Sequence, residues 1–390
     1  MKKIVVLLFL ILCVQLSAQT VEKSIVLLDA ESKLPIEDAT VVILKTKQIL
    51  LSNVEGKVTF DLKGASNIQI LHTSYKTLII RSAILKDKET IVYLKDNVNA
   101  LDEIILTKQH PQKILASLID NSKKKLNVPV RLKVYCREFF KLNGKYSYYN
   151  DGLINFQLMS KTKNFNSTIL VEQNRSIGLI DENVSTELLG YNLNDIMENY
   201  YNFKYLLPLL DAKAKKEYDF IVKANPNNEN YYVMTAVPNE NGKGLQDDFS
   251  ITYDKKKKII IEVSSVLTPM IVAKMKDKTS NGSKNINKSV FKTIYRSDED
   301  EYYLISSKEE IGFERNDKNG KKQIEVRNYF VTTNFSTQNY SFKESEVFKD
   351  KTLFNKKNEI LTDYWNVSGL VATDEEQKII ESIEDRLYEE

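Results

Sequence analysis

From Ser24 to Thr333 the chain is built of short runs rich in Val, Ile, Tyr, Phe and Thr, in which apolar and polar residues alternate between turn residues. Alternation with a period of two puts successive side chains on opposite faces of a strand, so most of the chain is constrained to sheets with a buried face. Helical spacing is confined to three places. After Pro111, Ile114, Leu115, Leu118 and Ile119 form one stripe, and Lys123, Lys124 and Lys125 complement the helix dipole in the last turn, which predicts a helix near 111–125. A second helical stretch covers 193–216, with Pro208 as a break between two short helices. A third is expected near 374–388, where Thr373-Asp-Glu-Glu376 is a capping box ahead of Ile379, Ile380, Ile383 and Leu387.

The first unit is expected over 20–107. Its strands are read at Ser24 to Leu28, Thr40 to Lys45, Lys57 to Leu62, Ile68 to His72, Thr77 to Ile80, Ile91 to Leu94 and Glu103 to Thr107, the rhythm of a small sandwich. Pro35 fixes a bend, and Gly56 centres a turn that delivers Val58 and Phe60 to one strand face. In these residues the chain resembles the carboxypeptidase regulatory-like domain of Bacteroidetes envelope proteins. Val26 and Asp29, then Pro35, Ile36, Ala39 and Val41, then Ser52, Asn53, Gly56 and Val58, and then Thr73, Ser74 and Tyr75 occupy the places of the family pattern. Tyr93-Leu94 and the run Leu101 to Thr107 resemble the strand that ends this module. The chain departs from the pattern at Ser24 and at Ser74, where the family has glycine, and at Ser52-Asn53, where it has Thr-Asp. The resemblance implies a transthyretin-like β-sandwich that serves as an accessory module and carries no peptidase zinc site.

Residues 108–390 are expected to form a mostly antiparallel β region. Asn143-Gly144, Asn241-Gly242 and Asn319-Gly320 each lie between aromatic or β-branched runs and read as hairpin turns. The fold class that follows is mainly β with minor α, an N-terminal transthyretin-like β-sandwich followed by a larger antiparallel-sheet domain with flanking helices. Residues 274–288, rich in Lys, Asn, Ser and Gly, read as an exposed loop.

At the N-terminus, Lys2 and Lys3, the apolar run Ile4 to Leu12 and Ser17-Ala18-Gln19 have the three-part layout of a signal peptide over 1–19. Export to the periplasm or the outer membrane is the expectation. Loss of two lysines takes the formal charge from +3 to about +1, so nucleic acid is not an expected partner. No later segment is apolar enough for a transmembrane span.

No catalytic signature is present: there is no Gly-x-Ser-x-Gly elbow, no Gly-rich phosphate loop and no metal-spaced Cys or His cluster. Catalytic residues, cofactor and metal ligands are therefore read as none. His72, His110 and Cys136 are read as structural, Cys136 as a buried thiol in the run from Val134 to Phe139. Two groups carry alternative readings: Tyr364 and Trp365 as core or interdomain packing or as a stacking surface for a ligand, and Lys255, Lys256 and Lys257 as a solvated hairpin turn or as a contact for phosphate groups of envelope lipids. Two functional expectations follow. The favoured one is a non-catalytic docking module for another envelope protein or glycan, marked by an exposed apolar patch on a sheet face. The alternative is a periplasmic lipid or lipoprotein carrier, in which the meander curves into an open barrel marked by an inward apolar lining. The signal reading predicts that sequencing the protein recovered from the producing cell's envelope gives an N-terminus near Thr20. A retained Met1 would sink it.

Overall fold

The computed structural model describes residues 20–96, 103–160, 166–178, 192–242, 246–275, 284–298, 301–317, 320–338, 341–350, 352–353 and 369–389. The signal segment, Asn319, and Tyr364 with Trp365 lie outside the described residues. Two compact units are formed, Met1–Asp96 with Thr362–Thr373, and Asn97–Leu361 with Asp374–Glu390.

The smaller unit is a sandwich of β1 (Thr20–Asp29), β2 (Thr40–Ile43), β3 (Gln48–Leu51), β4 (Lys57–Lys63), β5 (Asn67–His72), β6 (Tyr75–Arg81) and β7 (Glu89–Leu94). One sheet has the order β4-β1-β7 and the other β3-β2-β5-β6. Their inner faces meet through Ile25, Leu27, Val41, Ile43, Val58, Phe60, Ile68 and Ile70, all essentially inaccessible. The turn before β4 is held by Asn53, whose Oδ1 accepts from the backbone N–H groups of Glu55 and Lys57. Gly56 has φ +72°, and a Cβ there would stand 2.4 Å from the Leu27 carbonyl oxygen, so the turn requires glycine. Asp29 accepts from Ser32 and from the Tyr75 hydroxyl, and these bonds hold its carboxyl down to about 2.

The larger unit is one antiparallel sheet of ten strands. These are β8 (Val130–Leu142), β9 (Lys145–Ser160), β10 (Asn166–Gly178), β11 (Tyr218–Ala224), β12 (Tyr231–Pro238), β13 (Asp248–Asp254), β14 (Ile259–Val266), β15 (Lys284–Ser297), β16 (Tyr302–Asp317) and β17 (Gly320–Ser336). Their order is β10-β9-β8-β17-β16-β15-β14-β13-β12-β11. The helices are α1 (Pro111–Lys125), α2 (Leu193–Tyr201), α3 (Leu207–Leu210), α4 (Ala214–Glu217), α5 (Pro269–Met275) and α6 (Asp374–Glu389). Within the described residues no helix is long and apolar enough to cross a membrane. The architecture is thus mainly β, with a large antiparallel sheet and a few helices.

Several details differ from the sequence reading. Residues 284–288, read as loop, begin β15 and pair in register with Gly312 to Arg315 of β16. Residues 145–160 are one strand, with Asn150 and Asp151 within the sheet rather than in a turn. The run Glu103 to Thr107 does not close the sandwich: Ile104 bridges Lys223, and Ile105 N donates to the Val222 carbonyl on β11. Pro208 falls in the first turn of α3, where its missing N–H costs nothing, so the helical stretch breaks at Asn202 and Phe203 instead.

One face of the sheet carries α1, α2 and α3. Ser122 Oγ of α1 accepts from Ile260 N, and Tyr200 of α2 shares a hydrogen with Ser307 Oγ at 2.6 Å. The opposite face, over β8, β9 and β10, receives α6. Ile380 and Ile383 are buried there as the period of 3.6 requires, and Glu376 lies on the same stripe. Its carboxylate meets the Arg137 guanidinium at 2.8 Å, with only 6% of the Glu376 side chain and none of the Arg137 side chain exposed. Arg137 Nε also donates to Tyr135 Oη, and Tyr135 and Tyr149 both donate to Asp151 Oδ2, at 3.1 and 2.7 Å. Removing one partner of such a pair leaves a buried charge unanswered. Glu376→Ala is expected to lower the unfolding free energy of this unit by about 3–5 kcal/mol in a urea titration. A loss below about 1 kcal/mol would show that the pair does not hold α6 to the sheet.

Candidate functional site

Adjacent strands place directly paired residues on one face. Reading across the sheet, the pairs run Ser176, Asn150, Glu138, Asn328, Glu309, Phe291, Ser265, Phe249, Ala236 and Phe220, one residue from each strand. This row lies on the face that carries α2. It changes character midway, polar from Ser176 to Glu309 and then largely apolar and aromatic from Phe291 onward.

A cavity of about 530 Å³ opens at that change. Its walls are Ile196 and Tyr200 of α2, Tyr205 and Pro208 from the turns that follow, and Phe249, Leu267, Ile286 and Phe291 from the sheet side. The aromatic groups brace one another: Tyr205 and Phe291 have ring centroids 4.8 Å apart, and Tyr200 stacks on Phe291 at 6.3 Å. Tyr205 and Tyr295 hydroxyls are 2.9 Å apart, and Tyr295 donates to the Tyr200 carbonyl, which ties the helical segment to β15.

Two carboxyl groups face this cavity. Asp247 Oδ2 accepts from Ser265 Oγ at 3.1 Å and Ser289 Oγ at 3.3 Å, while burial pushes its carboxyl up from the ordinary value. Glu309 meets no hydrogen-bond donor among the described residues. It keeps some exposure because the cavity opens onto it, yet burial pushes it up to about 7.

The same row holds a third such group. Glu138 is paired across the sheet with Asn150 on one side and Asn328 on the other, and the Oδ1 atoms of both asparagines are buried without a donor. Burial pushes the Glu138 carboxyl up to about 8, so at neutral pH it carries a proton that can satisfy either neighbour. A side cleft of about 20 Å³, enough for one water, touches Glu138, Asn150, Leu193 and Leu353.

Of the residues singled out from the sequence, Tyr364 and Trp365 lie outside the described residues, and the lysines fall elsewhere. Lys255, Lys256 and Lys257 form the hairpin turn between β13 and β14, where Asp254 Oδ1 accepts from the N–H groups of Lys256 and Lys257. The Lys257 ammonium donates to Ser297 Oγ and the Asp298 carbonyl, and Lys255 lies 5.7 Å from the Tyr232 ring centre. None of the three lines the cavity. His110 caps α1, accepting from Gln112 N, and His72 accepts from Ser74 N. Cys136 is buried beside Gly152, and burial pushes its thiol up. Among the described residues no group of three His, Cys, Asp or Glu could hold a metal ion.

Sequence reasoning passed over Glu138, Asp247 and Glu309. The available signal was a carboxylate at an inward position of a strand: Glu309 stands between Ser307 and Ile311, and Glu138 between Cys136 and Phe140.

No family model matches the chain, and no curated protein matches it. Among solved structures, a LolA superfamily protein from Nitrosomonas europaea aligns at 11% identity, covering 58% of this chain and 94% of that one, with a TM-score of 0.22. MucB in complex with the periplasmic part of MucA aligns at 7% identity over 59% of this chain and all of that chain, with a TM-score of 0.18. The Pseudomonas aeruginosa MucA/MucB complex gives 7% identity, 59% and 99% coverage, and the same score. Likeness this slight defines neither the fold nor the function of this chain.

The protonated state of Glu138 has a measurable consequence. Its carboxyl sits near 4.5 when unfolded and near 8 when folded, so between those pH values the unfolded chain releases a proton that the fold retains. Stability contributed at this site is therefore lost as pH rises through that window. Glu138→Gln keeps a donor for the asparagines without a titration. Thermal melts should show its midpoint raised at pH 8, by roughly 2–4 °C for each kcal/mol recovered, and little changed at pH 5. Equal shifts at both pH values would contradict the assignment.

Proposed function

We propose that this protein is an exported, non-catalytic binding protein that holds an amphiphilic ligand in the cavity between α2 and strands β13 to β16. The observation that carries the reading is the cavity itself, of about 530 Å³, with apolar and aromatic walls and hydrogen-bonding groups gathered at one place. That combination is what a small-molecule site needs, since apolar walls supply affinity and a few polar groups fix orientation. The open sheet supports the carrier alternative, because a ligand held on one face under a helical segment can enter and leave without unfolding the sheet. No chemistry is assigned to the carboxyl groups.

The smaller unit is proposed to be an accessory sandwich of the carboxypeptidase regulatory-like kind. Docking to an envelope protein or glycan remains a second reading, on a specific surface. On the outer face of the β4-β1-β7 sheet, Ile91 and Tyr93 are 52% and 48% exposed and pair with the half-buried Val26 and Leu28 of β1. A contiguous apolar strip of this kind suits a partner surface.

The test is native purification from the producing cell under mild crosslinking, with mass spectrometry of co-purified small molecules and proteins. A stoichiometric amphiphile supports the binding reading, and a protein partner with no small molecule supports docking instead. Ser289→Trp would place an indole in the cavity. It is expected to cut the recovered amphiphile at least about tenfold, the factor that corresponds to ~1.4 kcal/mol of binding, with the circular dichroism spectrum unchanged. Undiminished recovery would place the ligand elsewhere.

A further inference from the structure

Building on the binding reading above, we infer that the ligand is an organic ammonium ion attached to an apolar chain, its head placed between Glu309 and Asp247 and the rings of Tyr200, Tyr205 and Phe291. The charge balance of the cavity points this way. Glu309 meets no donor among the described residues, and Asp247 is served by two neutral hydroxyls, at 3.1 and 3.3 Å. The one basic residue in the described lining, Lys204, is exposed and holds Glu198 at 2.9 Å, so it neutralises neither carboxyl group. The remaining titratable groups in the lining, Tyr200, Tyr205 and Tyr218, carry no charge at neutral pH.

The aromatic lining favours the same class of head independently. An ammonium ion within about 6 Å of a ring centre is attracted by the face of the ring. Phe291 has Tyr205 at 4.8 Å and Tyr200 at 6.3 Å, and Tyr218 and Phe249 lie 6.3 Å apart on the other side of the cavity. A carboxylate or phosphate head would be repelled by an ionised Glu309. A hydroxyl head would be tolerated but would leave the charge unanswered. An ammonium head answers the carboxylates and uses the ring faces. Glu309, pushed up to about 7 by burial, is ionised at pH 8, and a bound cation would extend its ionisation to lower pH.

Three probes with one chain length separate the possibilities: decylamine, decanol and decanoate, titrated calorimetrically into the full chain at pH 8. Decylamine is expected to bind roughly 10- to 100-fold more tightly than decanol, the range that one charge-assisted contact supplies, with decanoate weakest. Glu309→Gln should lower the decylamine affinity toward that of decanol and leave decanol unchanged. Asp247→Asn, which keeps an acceptor for Ser265 and Ser289, should do the same to a lesser degree. Decanol or decanoate binding as tightly as decylamine would overturn the ammonium assignment while the binding reading stood. An amine preference undiminished in both variants would likewise overturn it. If none of the three binds, the binding reading and the ammonium assignment fall together.

Discussion

The larger unit depends on the register of its ten strands. A slip of one residue between two strands exchanges the faces of every side chain on one of them. Here the register brings Glu138, Asn328 and Glu309 into one line, although they come from β8, β17 and β16, and it continues that line into Phe291 and Phe249. The cavity lies where the line turns from polar to aromatic. Glu309 comes to it from the polar half, and Ser265, which donates to Asp247, from the aromatic half.

The two faces of this sheet differ in how their buried charges are partnered. Under α6, Arg137, Glu376, Tyr135, Tyr149, Asp151 and Arg175 answer one another, and the ion pair fixes the helix. Under α2, three carboxyl groups are raised by burial, and two asparagine carbonyls lack donors. Of these groups only Glu309 and Asp247 line the cavity, and a buried polar group left without a partner is costly.

Much of the architecture was legible in the sequence because alternation reports burial directly. The hairpin at Asn143-Gly144 was visible, and both residues have the positive φ that such a turn requires. Helix α1 was marked by Pro111 and its apolar stripe, and His110 proved to be its cap. Strand β10 was not visible, since its residues are too polar to suggest burial. The start of β15 was hidden in the same way by Lys284, Asn285, Asn287 and Lys288. Glu376 reads as a capping residue in the sequence, and in the structure its carboxylate meets Arg137, a contact between distant segments that no local pattern encodes. The site was hidden for that same reason. Glu309 and Glu138 look like ordinary acidic residues of two strands until the pairing of β8 with β17 and β17 with β16 aligns them.

The position of β17 between β8 and β16 has a further consequence, for the way the sheet is completed. Strands β8, β9 and β10 can form hairpins with one another early, but β8 keeps an open edge until β17 arrives from far along the chain. For a chain that emerges from its N-terminus onward, β8 leaves Glu138 at an unpaired edge while β11 to β16 are made. Pairing of β17 with both β8 and β16 closes that seam and brings Glu138 into line with Glu309. A chain truncated before Gly320 would therefore lack Asn328, the step that joins Glu138 to Glu309, although every residue of the described cavity lining precedes β17.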